Sequence, residues 1–186
     1  MTFLIVMAIV LAAAFSLSYL IRSSLLISLP TAIFGITAVL YTFSLFNQLL
    51  LGFWVVLGAI ALATIASAIL LIKDRELLPH LKSLLSPGLA IFIFLALFSF
   101  LLTRGMQLSS WDEFSHWGTI VKATYLYDAV GPYNPVDLGF RSYPPSLSLF
   151  EYFVTKLGGP WLEGNIFWAY QLIIWSLFTP FLAQLT

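Results

Sequence analysis

Two adjacent carboxylates, an imidazole and two tryptophans stand together in the sequence Trp-Asp-Glu-Phe-Ser-His-Trp at 111–117, directly after an apolar run. A carboxylate can take a proton from an acceptor hydroxyl as a general base, or bind a divalent cation that neutralises a phosphate leaving group. Because adjacent acids repel each other, partial burial would raise the pKa of one and divide these roles. We therefore expect Asp112 and Glu113 to be catalytic, with Asp112 also the candidate ligand for Mg²⁺ or Mn²⁺.

Five further side chains are candidates for binding substrate: His116, Lys122, Arg141, Tyr143 and Glu151. Lys122 and Arg141 can offset the charge of a phosphate, and arginine does so with a planar fork of donors. Glu151 interrupts an apolar run, where an ionisable residue is by default a functional candidate. The alternatives are a structural hydrogen-bonding role for His116 and, for Glu151, an ion pair with the lysine at 156.

Composition restricts the class of protein. The chain has 186 residues, of which 61% are hydrophobic and only 9% charged, whereas about a quarter of an average chain is charged. Its apolar runs reach the roughly 20 residues that a helix needs to cross the hydrocarbon core. A net charge of zero gives no argument for binding nucleic acid. The lack of cysteine excludes disulfides and thiolate metal sites.

The apolar runs predict an all-α, polytopic membrane bundle of about six spans, at 2–21, 25–46, 50–72, 89–103, 144–157 and 165–185. Residues 1–104 then hold four spans, 105–145 form an outer loop with the active site, and 146–186 hold two more spans.

The distribution of Lys and Arg predicts the orientation. Arg22 lies between the first two spans, and Lys73, Arg75 and Lys82 lie between the third and fourth. Those loops would be cytoplasmic, and Lys156, between the fifth and sixth spans, would agree. The loop 105–145 then faces outward, and we expect a multi-pass protein of the plasma membrane.

An amphipathic interfacial helix is predicted at 112–128. At 100° per residue, one polar arc collects five side chains and the opposite arc collects four apolar ones. Trp and Tyr on such a helix lie at headgroup depth. The polar arc comprises Asp112, Ser115, His116, Thr119 and Lys122, and the apolar arc comprises Phe114, Trp117, Val121 and Tyr125.

The sequence Trp-Asp-Glu-Phe-Ser-His at 111–116, the amphipathic helix, and Tyr-Pro-Pro-Ser-Leu at 143–147 together resemble the first outer loop of GT-C glycosyltransferases. The protein O-mannosyltransferase pattern is the most similar, and the aminoarabinose transferase group is similar too. The sequence Leu-Gly-Gly-Pro-Trp-Leu-Glu at 157–163 also resembles the Gly-x-x-Glu turn that follows the next span in that family. Here, however, the acidic loop follows the fourth predicted span rather than the first.

The resemblance implies transfer of a sugar from a polyprenyl-phosphate carrier to an acceptor at the outer membrane face. It implies that Asp112, with Glu113 beside it, is the catalytic or metal-binding acid, and that Arg141 and Tyr143 contact the donor phosphate. Because family members usually have more spans, the chain is expected to be a whole or partial transferase core. A protein partner would then complete the fold. The alternative is a non-catalytic membrane subunit that binds lipid or a partner through residues 112–145.

Overall fold

The computed structural model of the protein describes residues 1–73, 85–137 and 145–185. Within these ranges the chain is helical, and its α-helices are α1 (Thr2–Leu20), α2 (Leu25–Ser44), α3 (Leu49–Lys73), α4 (Pro87–Thr103), α5 (Gly118–Tyr127), α6 (Ser146–Gly158) and α7 (Gly164–Leu182). A π-helical turn, Glu113–Trp117, leads into α5, and 3₁₀ turns lie at Gly131–Tyr133 and Ala183–Leu185.

Four of these helices, α1, α2, α3 and α7, are long and apolar enough to cross a membrane. They match the first, second, third and sixth predicted spans. The apolar helix α4 has 17 residues. Helix α6 has 13 residues, and at about 1.5 Å per residue it rises roughly 20 Å, less than the roughly 30 Å of a hydrocarbon core.

Polar caps set where the helices begin. The Ser24 hydroxyl accepts a hydrogen bond from the Ile27 N–H (3.3 Å) at the start of α2. Ser86 does the same for the Leu89 N–H (3.2 Å) at the start of α4, where Pro87 takes the first position. These caps satisfy backbone donors that have no partner within the helix.

Close glycine contacts gather several helix ends at one end of the bundle. A β-carbon on Gly164, at the start of α7, would overlap the carbonyl oxygen of Thr103, the last residue of α4. A β-carbon on Gly158, the last residue of α6, would lie 2.9 Å from Cγ2 of Thr2 at the start of α1. We call this end, defined by Thr2, Thr103, Gly158 and Gly164, the site end.

The opposite end of the bundle is identified by Gly88 at the start of α4. A β-carbon there would lie 2.7 Å from Leu26 Cδ1 and 2.8 Å from the carbonyl oxygen of Leu182. The start of α2 and the end of α7 therefore lie together, away from the site end. Successive helices α1 to α4 alternate in direction, as the predicted spans require.

Helices α6 and α7 form a hairpin whose turn, residues 159–163, lies at the site end. This arrangement corrects the predicted fifth span, which would have carried the chain from the loop to the opposite end. The correction also moves Lys156 to the site end, so Lys156 does not support the predicted orientation. The reason is packing, since glycines allow α6 to end against α1 and α7 to begin against α4.

Helix α6 fills the centre of the bundle. Its side chains Leu149, Phe150, Tyr152, Phe153 and Val154 are fully buried. The Phe53 ring of α3 lies 5.7 Å from the Phe153 ring. The other helices therefore enclose α6 along most of its length.

Candidate functional site

A cavity of about 450 Å³ opens at the site end between the segment before α5, the start of α6 and the first turns of α7. Most of its lining is apolar, and two carboxylates, Glu113 and Glu151, share it. The lining comprises Leu108, Glu113, Trp117, Gly118, Ile120, Thr124, Val130, Gly131, Pro145, Leu147, Ser148, Glu151, Ile166, Phe167 and Tyr170.

Glu113 is held in place by backbone donors. Its Oε2 accepts hydrogen bonds from the N–H of Ser109 (2.7 Å) and the N–H of Ser110 (2.9 Å). These bonds, that from Ser110 first, lower the pKa of Glu113 below its ordinary value of 4.5. Hydrogen bonds to the charged form stabilise that form, so Glu113 presents a fixed negative charge at the cavity.

A second carboxylate anchors the same loop from the other side. The Glu163 Oε2 accepts a hydrogen bond from the Leu108 N–H (2.8 Å). Glu163 borders a neighbouring groove of about 490 Å³ and does not line the cavity. Residues 108–110 are therefore held between Glu113 and Glu163. The sequence indicates Glu163 only as the last residue of a segment that resembles the Gly-x-x-Glu turn of GT-C glycosyltransferases.

The π-helical turn changes which side chains face the protein. Its bonds reach five residues back, as does the bond from the Thr119 hydroxyl to the Phe114 carbonyl. Each residue then advances less than the 100° assumed for an α-helix. His116, which was expected on the exposed polar arc, is accordingly buried at 8% exposure, whereas Phe114 and Trp117 of the apolar arc are more than half exposed.

Three of the predicted site residues that the structure describes, Asp112, His116 and Lys122, lie outside the cavity lining. Asp112 is exposed at the start of the π-helical turn. Lys122 is exposed on α5, with its Nζ 5.8 Å from the centre of the Trp161 ring. Arg141 and Tyr143 lie outside the described residues. His116, beneath this surface, has its ring 4.3 Å from that of Trp117, centre to centre.

Glu151 is the buried carboxylate of the cavity, with 7% of its surface exposed. Within residues 1–73, 85–137 and 145–185, no hydrogen bond or ion pair engages it. The considered pairing with Lys156 does not form, because the Lys156 Nζ lies 2.6 Å from Oδ1 of Asp128. The Glu151 oxygens are therefore free to accept hydrogen bonds from a ligand.

The ion pair of Asp128 with Lys156 joins the end of α5 to α6. The Tyr152 hydroxyl donates to Asp128 Oδ1 (2.7 Å), and the Lys156 Nζ donates to the Tyr125 carbonyl oxygen (3.2 Å). Asp128 has a φ of 49°, a backbone conformation that Asp tolerates better than most residues. Sequence reasoning missed Asp128, since nothing near it in the chain identifies its partner.

The residues that the structure describes do not form a metal site at Asp112. No group of three or more His, Asp, Glu or Cys side chains able to hold a metal occurs among them. Glu113, the nearest carboxylate in sequence, is occupied by the backbone of Ser109 and Ser110. Divalent Mg²⁺ and Ca²⁺ need six or more oxygen ligands, some of them water, and Asp112 alone among the described residues does not provide such a set.

Chemically, the cavity offers one anchored carboxylate, one carboxylate free of hydrogen bonds from the described residues, and an apolar wall. That combination can hold an amphiphile and accept a proton from it. Comparison of the chain with protein-family models, with curated proteins and with solved structures found no match.

Proposed function

We propose that the protein is a GT-C-like glycosyltransferase, whole or partial, that moves a sugar from a polyprenyl-phosphate-linked donor to an acceptor. The observation that carries this proposal is that Glu113 and Glu151 line one largely apolar cavity at an end of helices long and apolar enough to cross a membrane. A lipid-linked substrate needs this combination, because its carrier stays in lipid while its reacting atoms meet polar groups. The resemblance of residues 111–116 and 143–147 to the GT-C loop adds support.

In this proposal Glu151 is the general base, because Glu113 already accepts two backbone hydrogen bonds. The acceptor oxygen attacks the anomeric carbon of the sugar, and its proton passes to the Glu151 carboxylate. The bond from the anomeric carbon to the phosphate oxygen breaks, and the polyprenyl phosphate leaves with that electron pair. Arg141 remains the proposed partner of the leaving phosphate, whereas Lys122 lies outside the cavity lining, over the Trp161 ring.

Exposed aromatic side chains support placing the site end at a membrane surface. Trp111, Phe114 and Trp117 are 82%, 56% and 55% exposed on the turn that leads into α5. Such rings favour the headgroup region of a bilayer. We propose a plasma membrane protein with about six helical segments in the membrane, α6 entering it without crossing, and the site end facing outward.

A second candidate is a non-catalytic membrane subunit that binds lipid or a protein partner through residues 112–145. One observation favours it: Glu113, an expected catalytic residue, is engaged in holding its own loop. The cavity would then bind a lipid without transforming it.

The experiment compares cells that lack the gene with the same cells complemented by wild type, Glu151→Gln, Asp112→Asn or Glu163→Gln. Mass spectrometry measures lipid-linked sugars and acceptor glycans in each strain. Glu163→Gln is the matched control, because Gln keeps an oxygen for the Leu108 N–H and the side chain lies outside the cavity. Membrane levels of each variant are measured by immunoblot.

We expect Glu151→Gln to accumulate the lipid-linked donor as the deletion does, with Glu163→Gln and wild type clearing it. Loss of transfer in Asp112→Asn with full transfer in Glu151→Gln would assign the base to Asp112 and refute our assignment. Identical donor and glycan profiles in wild-type and deletion cells would refute the transferase and leave the lipid-binding subunit.

A further inference from the structure

The charge of the cavity indicates what kind of molecule enters it. Its described lining carries two carboxylates and no lysine, arginine or histidine. Lys122 and Lys156, the cations of the neighbouring helices, lie over aromatic rings or in an ion pair instead. A ligand that brings a positive charge would therefore meet two acidic side chains in a mostly apolar wall, with no competing cation among the described lining residues.

The two carboxylates differ in a way that suits a cation. Glu113 is held by the Ser109 and Ser110 N–H groups, which lower its pKa. It therefore stays ionised at neutral pH. Glu151 is more than nine-tenths buried, lines the cavity, and has no hydrogen-bond partner among the described residues. A buried polar group without a partner is costly, so Glu151 gains from a donor that a ligand supplies.

A primary ammonium fits this arrangement better than a metal ion. It carries three donors and needs three acceptors, and the lining residues with side-chain oxygens are Glu113, Glu151, Thr124, Ser148 and Tyr170. The Ser148 hydroxyl already donates to the Pro145 carbonyl (2.9 Å), so its oxygen is directed to accept. Among the described residues, no group of three or more His, Cys, Asp or Glu side chains forms that could hold a metal ion.

We propose that the cavity selects a lipid-borne molecule that presents a primary ammonium, with Glu113 as the counter-charge and the apolar wall holding the attached chain. This proposal deepens the proposed function by naming the class of acceptor, and it depends on the cavity being the substrate site. It does not depend on the transfer reaction. The ammonium source is either an aminophospholipid or a single-chain amine.

The test is isothermal titration of the purified full chain in dodecyl maltoside micelles. Dodecylamine, which is charged at neutral pH, is compared with dodecanol, which has the same chain and no charge, and empty micelles provide the background. Wild type should bind the amine about tenfold more tightly than the alcohol, the effect expected of a hydrogen bond to a charged group. Dodecyltrimethylammonium, which cannot donate a hydrogen bond, should fall between them.

Glu113→Gln should abolish the preference for the amine while keeping the affinity for dodecanol, which shows that the cavity is intact. The control Glu163→Gln should bind as wild type does. Equal affinity of wild type for amine and alcohol, or an unchanged preference in Glu113→Gln, would overturn the proposal. If Glu113→Gln does not bind dodecanol, the same titration is carried out with Glu151→Gln. An unchanged preference of Glu151→Gln for the amine over the alcohol would also overturn the proposal.

Nanodisc preparations of wild type and of Glu113→Gln, analysed for the lipid that co-purifies with the protein, distinguish the two sources of the ammonium group. Enrichment of phosphatidylethanolamine over phosphatidylcholine in the lipid co-purified with wild type, lost in Glu113→Gln, identifies an aminophospholipid. Equal recovery of both, with the amine preference retained, identifies a single-chain amine. Because neither readout measures sugar transfer, amine selectivity without transfer would refute the proposed reaction alone, and transfer without selectivity would refute this inference alone.

Discussion

The ion pair between Asp128 and Lys156 provides the sharpest quantitative test of the hairpin. Their side chains are about a quarter exposed, at 24% and 23%, and approach to 2.6 Å. Fully exposed pairs contribute about 0.2–1 kcal/mol, whereas removing one partner of a buried pair costs about 3–5 kcal/mol. For this intermediate burial we expect Lys156→Met to lower the free energy of unfolding by about 2 kcal/mol.

A double-mutant cycle with Asp128→Asn isolates the pair from its other contacts. Asn still accepts the hydrogen bond from the Tyr152 hydroxyl, and it tolerates the positive φ of this position. Met keeps most of the length of the lysine chain against the rings of Tyr125 and Tyr152. We expect a coupling energy of about 1–2 kcal/mol, in the range of hydrogen bonds between charged groups.

The measurement is equilibrium unfolding in mixed micelles of dodecyl maltoside and SDS, followed by tryptophan fluorescence and circular dichroism. Salt tests the burial, because raising ionic strength to about 1 M shortens the Debye length to roughly 3 Å and screens exposed pairs. The coupling should fall by less than half. A coupling below about 0.3 kcal/mol, the error of additivity between independent sites, would refute the assigned contact and the return of α6 to the site end.

Two further predictions test the arrangement of helix ends. Since the chain has no cysteine, single cysteine variants can be labelled at one position each with an impermeant maleimide. Gln107→Cys and Leu162→Cys should be labelled from the same membrane face, and Leu85→Cys from the other. Labelling of Gln107→Cys and Leu162→Cys from opposite faces would contradict the hairpin. Gly164→Ala should cost about 1–3 kcal/mol in the same unfolding assay because its β-carbon meets backbone, whereas Gly58→Ala, with open space around it, should be neutral or stabilising by up to about 1 kcal/mol; equal effects would contradict the packing.

The helix boundaries could be predicted because local signals set them. Predicted spans at 2–21, 25–46 and 50–72 correspond to Thr2–Leu20, Leu25–Ser44 and Leu49–Lys73. Uninterrupted apolar runs must form helices in lipid. A capping Ser marks where such a helix begins, and a change to polar residues marks where it ends. None of this requires knowledge of the partner helix.

The site was predicted only in part, because its geometry depends on contacts that are distant in sequence. Glu113 and Glu151 were both candidates, and the structure brings them to one cavity. The burial of His116 could not be predicted, because a π-helical turn has no reliable sequence signature and changes the angular register. Lys156 was assigned to the wrong end because its partner Asp128 is chosen by folding rather than by spacing.

The return of α6 to the site end explains how the cavity comes to exist. Had α6 crossed, Lys156 and Asp128 would lie at opposite faces, separated by roughly the 30 Å of a hydrocarbon core, instead of 2.6 Å apart. A crossing helix would also have carried Glu151 away from Glu113 and toward the opposite end. Because α6 ends at the site end instead of crossing, its first turns, with Leu147, Ser148 and Glu151, close the cavity beneath the anchored loop. The hairpin therefore brings the second carboxylate to the first, and any chemistry of this site depends on it.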